Sequence, residues 1–324
     1  MTAPLDEDSL IARFFAPIAG PGGLGLRDDA ALIVPPPGHD LVITADALVA
    51  GGHFFAEDAP GSVARKALRV NLSDLAAKGA EPLGFTLALA LPAGWTADWL
   101  EAFARGLGED AASYACPLLG GDTVKAGGPL TLSITAFGTV PHGRMVPRTG
   151  ARAGDRLYVS GTVGDAALGL QLRLAGRGAP AGQEHLLDRY LHPQPRLALR
   201  STLLDHASGA MDVSDGLVGD LAKMMRACGA SAEVDLAAVP LSPAARLAVA
   251  ADPALFDAAV TGGDDYEILA SVPEDRAAAF EAAAGAAGVP VTAIGRVRAG
   301  NAPALFRDRE GRSRRFARGS FSHF

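Results

Sequence analysis

Six short segments of the chain set aspartate beside glycine, serine, threonine or asparagine. They are Arg27-Asp28-Asp29-Ala30, Thr44-Ala45-Asp46, Asn71-Leu72-Ser73-Asp74, Gly120-Gly121-Asp122-Thr123, Asp212-Val213-Ser214-Asp215-Gly216 and Gly262-Gly263-Asp264-Asp265. Any one of them reads as a turn or a cap, because Asp and Gly favour turns for conformational reasons. Four, however, directly follow apolar runs of strand length, and strand ends are where sheets open onto ligands. Carboxylates brought together raise each other's pKa unless cations neutralise them. Oxygen-only ligands suit Mg²⁺ over Zn²⁺, and Mg²⁺ prefers to bridge a few carboxylates and phosphate oxygens. The acidic segments on their own therefore suggest a polyphosphate site.

The remaining pattern is mixed. The 324 residues exceed what one core usually serves, so two domains are expected. Pro141–Asp155, rich in Gly, Pro and Arg, is the candidate junction, giving domains 1–147 and 148–324. Leu10, Ile11, Phe14, Phe15 and Ile18 recur at helical spacing behind a cap at Asp8 or Ser9. Ala30–Val34 and Leu41–Ala45 read as short strands, and Ser62–Lys78 as a helix closed by Gly79. Leu83–Leu91 reads as a buried strand, and Thr96 caps a helix running to about Ser113. Strands follow from Pro117 and over Leu130–Val140, the second alternating apolar residues with Thr and Ser. Strand–turn–helix units at Arg156–Asp165 and Ala210–Ala227 lie beyond the junction. The expected class is α/β, arranged as α+β layers rather than a regular βαβ array.

The net charge of −7 disfavours non-specific nucleic-acid binding. Cys116 and Cys228 are too few for a disulfide framework and read as buried reduced thiols. The acidic start lacks a signal-peptide pattern, and the longest apolar run falls far short of the ~20 residues of a membrane span, so a cytoplasmic protein is expected. Gly20–Gly25 matches GxGxxG but follows a helix and opens none, so the dinucleotide reading is declined; P-loop and protein-kinase signatures are missing. Asn71 and Asp74 share a helix face set among Val70, Leu72 and Leu75, which predicts a buried rim. Two readings stay open for the Gly161–Asp165 turn, an anion site at a helix N-terminus or an ordinary strand–helix turn. Two stay open for His53 as well, packing against Phe54 and Phe55 or facing a ligand from a Gly-Gly loop.

Taken together, DDAAL, TADALVAGGHF, KALRVNLSDLAAKGA, LGGDT, RTGARAGD, SGTVGDAALGL, HPQPR, DVSDGL, TGGDDYE and the closing SFSHF resemble thiamine-monophosphate kinase. That family lies in the superfamily of aminoimidazole ribonucleotide synthetase and selenophosphate synthetase, and the likeness runs nearly end to end. It implies an N-terminal mixed-sheet domain that dimerises through its sheet, a C-terminal α+β domain, and ATP with several Mg²⁺ ions between them. It implies direct transfer of a phosphoryl group from ATP to thiamine monophosphate, giving thiamine diphosphate, in a homodimer with no nucleic-acid or membrane partner. Carried over residue by residue, Asp28, Asp29, Asp46, Asp74, Asp122, Asp212 and Asp215 hold metal, with an oxygen from Thr44. Asp122, Gly121, Arg148 and Ser214 contact ATP, and Tyr114 the adenosine. His53, Asp264 and Phe321 border the thiamine phosphate. No residue is expected to act as a catalytic acid, base or nucleophile. The chain departs from the family at Arg27, where Gly is usual, at Asp264, where Glu is usual, and at Ala45, where Thr is common. Selenophosphate synthetase is the nearest rival, but its chemistry needs a reactive Cys or selenocysteine near the N-terminus, and the first cysteine here is Cys116.

Overall fold

A computed structural model describes residues 6–176, 178–317 and 319–320. The chain divides into two compact units, one formed by the residues up to Leu75 with Ala80–Gly143, the other by Ala76–Gly79 with the residues from Arg144 onward.

The first unit is built on β1 (His39–Val49), β2 (Glu81–Leu91), β3 (Leu118–Lys125) and β4 (Thr131–Pro141), ordered β1-β4-β2-β3. β1 and β2 run antiparallel to β4, and β2 runs parallel to β3. A parallel pair needs a long crossover, and the helix Ala97–Ser113 lies within it. Thr96 starts that helix by accepting the Trp99 N–H at 3.2 Å. The helix Pro60–Ala77 stops where Gly79 takes a φ of +72°. Leu68, Leu72 and Leu75, at helical spacing, are fully buried, and each contributes about 2 kcal/mol from area removed from water. One sheet face stays open: Leu41 and Ile43 on β1 and Val124 on β3 are exposed.

The second unit carries β5 (Arg156–Ser160), β6 (Gly209–Val213), β7 (Ser231–Asp235), β8 (Glu267–Val272), β9 (Val291–Arg298), β10 (Leu305–Arg307) and β11 (Ser313–Arg314). Their order is β11-β10-β7-β9-β5-β8-β6, antiparallel except for β10 with β7. Its core joins Leu157 and Val159 to Leu217, Leu221 and Met224 of the helix Leu217–Cys228, and to Val234, Leu269 and Ile294. Among the described residues, no helix is long and apolar enough to cross a membrane.

Three expectations are corrected. Ala30–Val34 forms no strand: Leu32 and Val34 are exposed, and the run leads straight into Pro35–Pro37, which have no N–H to give a ladder. β1 runs four residues past Ala45, carrying Asp46 inside the strand rather than after it. The N-terminal helix is capped by Asp6, which accepts the Ser9 N–H at 2.8 Å. It is α-helical over Glu7–Leu10, continues as a π-helical turn over Ile11–Phe15 and ends in a 3₁₀ turn over Ala16–Ile18.

Candidate active site

In the first unit Asp28, Asp29, Gly120, Gly121, Asp122 and Thr123 line one cavity of about 380 Å³. Gly121 is there for a steric reason. Its φ is +155°, and a Cβ at that position would stand 1.9 Å from the Leu87 carbonyl oxygen of the neighbouring strand. Only glycine lets β3 lie this close to β2 and aim Asp122 outward. Asp28, Asp29 and Asp122 are exposed and have no hydrogen bond or ion pair among the described residues. Glu7 also lines the cavity; sequence reasoning passed over it, and its place in the acidic N-terminal turn was the available signal.

A second group in this unit forms where the helix Pro60–Ala77 meets β1. The Thr44 hydroxyl donates to Asp74 Oδ2. Asn71, fully buried, accepts the Asp46 N–H at 3.1 Å and donates to the Ala67 carbonyl at 3.0 Å. The Asp46 carbonyl accepts the Ser133 hydroxyl at 3.1 Å. The Asn71–Asp74 face thus lies against the strand carrying the other two candidate ligands. These residues do not line the cavity holding Asp28, Asp29 and Asp122. Tyr114 is half-buried, with the Arg69 guanidinium 5.7 Å from its ring centroid. His53 accepts the Val49 N–H on Nδ1 at 3.1 Å, which leaves Nε2 to carry the proton in the neutral ring, and its carbonyl accepts Lys66 Nζ at 3.0 Å.

In the second unit the DVSDG turn and the GGDD loop interlock. The N–H groups of Asp264 and Tyr266 donate to the carbonyls of Ser214 and Val213, both at 2.8 Å. A Cβ on Gly263 would stand 2.3 Å from the Ser214 carbonyl oxygen, so this contact too requires glycine. Asp212 is buried at the end of β6, while Ser214 and Asp215 are half-buried. Asp215 accepts an ion-pair hydrogen bond from Lys223, which also contacts Asp220 at 2.8 Å; Asp220 in turn accepts the Asp215 N–H at 2.8 Å. Burial works against the Lys223 charge, but the hydrogen bonds it donates to Asp215 and Asp220 outweigh it and hold its pKa above the ordinary value. Burial raises Asp220 above the usual carboxylate range despite the same ammonium. Sequence reasoning missed Asp220 and Lys223, although their i, i+3 spacing just after the turn could have marked them. Arg148 sits exposed on the turn Arg148–Gly150, and its guanidinium has no partner among the described residues. Phe321 lies outside the described residues.

The expected metal ligands do not close into a cage. Among the described residues, no three His, Cys, Asp or Glu side chains are placed to hold an ion by themselves. Dispersal is what unneutralised carboxylates require. It also suits Mg²⁺, which binds through one or two carboxylates together with substrate phosphates rather than in an all-protein cage. The donor set, all oxygen and partly without protein partners, fits that ion. The cavity and its exposed carboxylates can hold cations that screen polyphosphate. No histidine lies in the acidic segments, and burial pushes the Cys116 thiol up to about 12, so it offers no nucleophile.

Comparison with known proteins accords with this geometry. The N-terminal domain of AIR synthase related protein matches residues 27–140, and its C-terminal domain matches residues 152–308. The thiamine-monophosphate kinase of Caulobacter vibrioides is 48% identical over 299 residues, 90% of this chain and 84% of that protein. The crystal structure of thiamine-monophosphate kinase from Stenotrophomonas maltophilia K279a superposes with a TM-score of 0.81 at 40% identity, over 89% of this chain and 91% of that one. AaThiL, complexed with AMPPCP and TMP, gives a TM-score of 0.80 at 28% identity over 100% of both chains. With both domain matches and near-half identity across most of its length, the chain belongs to the thiamine-monophosphate kinase family of the AIR synthase superfamily.

Proposed function

We propose that this protein transfers the γ-phosphoryl group of ATP to thiamine monophosphate, giving thiamine diphosphate and ADP. The observation that carries the reading is the set of exposed carboxylates of Asp28, Asp29 and Asp122, without partners among the described residues, around a glycine-walled cavity in a chain this similar to thiamine-monophosphate kinases. Isolated carboxylates would repel a nucleotide, so they make sense where cations accompany it. Asp28, Asp29, Asp46, Asp74 and Asp122, with the Thr44 oxygen, are the candidates to hold Mg²⁺ in the first unit, and Asp212 and Asp215 in the second. When bound, Mg²⁺ supplies charge neutralisation and alignment of the phosphates.

The chain's own groups do the rest. Backbone at Gly120, where a Cβ would meet nothing within 4 Å, and at Gly121 would meet phosphate beside Asp122. The Arg148 guanidinium and the Ser214 hydroxyl would bind phosphate oxygens, and the Tyr114 ring would support the adenosine. His53, Asp264 and Phe321 would border the acceptor. The acceptor phosphate is ionised at neutral pH, so transfer needs no strong general base, and acidic segments without histidine, together with the buried Cys116, support direct passage between the two substrates. Solvation of an open apolar sheet face is unfavourable, and the exposed Leu41, Ile43 and Val124 support a homodimer built on that face.

Turnover with ATP, Mg²⁺ and thiamine monophosphate, read as ADP and thiamine diphosphate, tests the function; no thiamine diphosphate above a protein-free control would refute it. Direct transfer predicts intersecting initial-rate lines and no ADP–ATP isotope exchange until thiamine monophosphate is added. Parallel lines with exchange in its absence would refute that path.

A further inference from the structure

The second unit contains a buried charged network that the function above does not use. Arg189, on the helix Glu184–Leu191, is only 4% exposed. Its Nη2 donates both to the backbone carbonyl of Asp265 at 3.1 Å and to Glu267 Oε1 at 2.9 Å. Glu267 is fully buried and also accepts Arg196 Nε at 2.7 Å and the Ser160 hydroxyl at 2.6 Å. Asp265 Oδ2 accepts the Gly164 N–H at 2.8 Å, whereas Asp265 Oδ1 and Arg189 Nη1 are buried with no partner among the described residues. Burying charge is unfavourable, and a core position serving stability alone is better filled by apolar side chains. A buried arginine that leaves one of its own nitrogens unpaired to grip a backbone carbonyl points to a demand for geometry.

The backbone shows what that geometry serves. Asp264 and Tyr266, the neighbours of Asp265 on either side, have φ values of +72° and +52°, left-handed conformations that non-glycine residues adopt only when their surroundings over-determine them. The segment is held on one side by the N–H groups of Asp264 and Tyr266 on the DVSDG turn, and on the other by Arg189 at the Asp265 carbonyl between them.

We propose that Arg189 is a positioning residue. By clamping the Asp265 carbonyl and Glu267, it holds Asp264 in its left-handed conformation and so sets the acceptor-binding edge of the site. This rests on the function proposed above, with Asp264 at the acceptor. Arg189 touches neither substrate, and its effect passes entirely through Asp264.

A double-mutant cycle tests this, with KM for thiamine monophosphate and for ATP measured in the wild type, Arg189→Met, Asp264→Ala and the double variant, together with each melting midpoint. Arg189→Met is expected to raise the acceptor KM about tenfold and the ATP KM by less than threefold. In the Asp264→Ala background the same change is expected to alter the acceptor KM by less than twofold, because the residue it positions is gone. Arg189→Lys, which keeps the charge but whose shorter side chain does not carry a donor as far as the Nη2 position, should behave like Arg189→Met. Equal effects of Arg189→Met in both backgrounds, equal effects on both substrates, or failure of both Arg189 variants to fold would each overturn the positioning role. Wild-type protein without thiamine monophosphate turnover would refute the underlying function instead, and is seen before any variant is read.

Discussion

Replacing Gly121 with alanine isolates the contact between β2 and β3. The new Cβ would stand 1.9 Å from the Leu87 carbonyl oxygen and 2.7 Å from its carbon, where real Cβ atoms do not come within 3.0 Å. Both atoms belong to backbone, so no side chain can swing aside. The strands must part by about 1 Å, which removes roughly two ladder hydrogen bonds at about 1 kcal/mol each. The φ of +155° costs an alanine a further 1–2 kcal/mol or so. The expected loss is about 3–4 kcal/mol, a large share of the ~5–15 kcal/mol that holds a domain folded. At roughly 3 °C per kcal/mol this lowers the melting midpoint by about 10 °C. The same displacement re-aims Asp122, and a shift of ~1 Å at a reacting site can cost about a hundredfold in kcat/KM. Gly127→Ala, whose Cβ would meet nothing within 4 Å, is the control. Calorimetry and initial rates on both variants decide the matter: a Gly121→Ala protein that melts within 2 °C or so of the control and keeps its kcat/KM for ATP would refute the reasoning.

Two further outcomes follow from particular contacts. Asp74→Asn keeps an acceptor for the Thr44 hydroxyl but removes the charge, so turnover should fall by about a hundredfold or more while the melting midpoint moves little; near-normal activity at saturating Mg²⁺ would remove Asp74 from the ligand set. Cys116 is fully buried, and with its thiol pushed up to about 12 it stays protonated at pH 8, so it should resist alkylation in the native protein and react only on unfolding; rapid native labelling, read by mass spectrometry, would contradict this burial.

The parts of the fold legible in the sequence are those fixed by local chemistry. Thr96 and Gly79 mark helix ends because a hydroxyl cap and a left-handed glycine act within one turn of chain. The two-domain expectation rested on chain length and the mixed class on the run of predicted strands and helices, and the family membership inferred from NLSDLAA, GGDT and DVSDGL agrees with the domain matches. Ala30–Val34 misled because strand propensity says nothing about whether a partner strand is present. The Ala-rich helices Pro243–Ala251 and Ala277–Ala286 escaped notice because alanine blurs the contrast between buried and exposed faces. At the site, glycine and aspartate advertised themselves, so Asp28, Asp29 and Asp122 could be named before their shared cavity was seen. The clamp of Arg189 on Glu267 spans 78 residues, and the long reach of two side chains leaves no local spacing to read.

The pairing of β1 with β4 also has a temporal side. His39 lies opposite Pro141 and Val49 opposite Thr131, so the first strand meets its hydrogen-bonding partner about 80–100 residues after it is made. At ~5–20 residues per second, a ribosome leaves β1 waiting for several seconds or more, and such non-local closures are the slow step of folding. During that interval Asp46 hangs on an unpaired strand, and the exposed row of Leu41 and Ile43 is open to neighbouring nascent chains. A truncation before Thr131 therefore strands not only an edge of the sheet but the strand that carries Thr44 and Asp46.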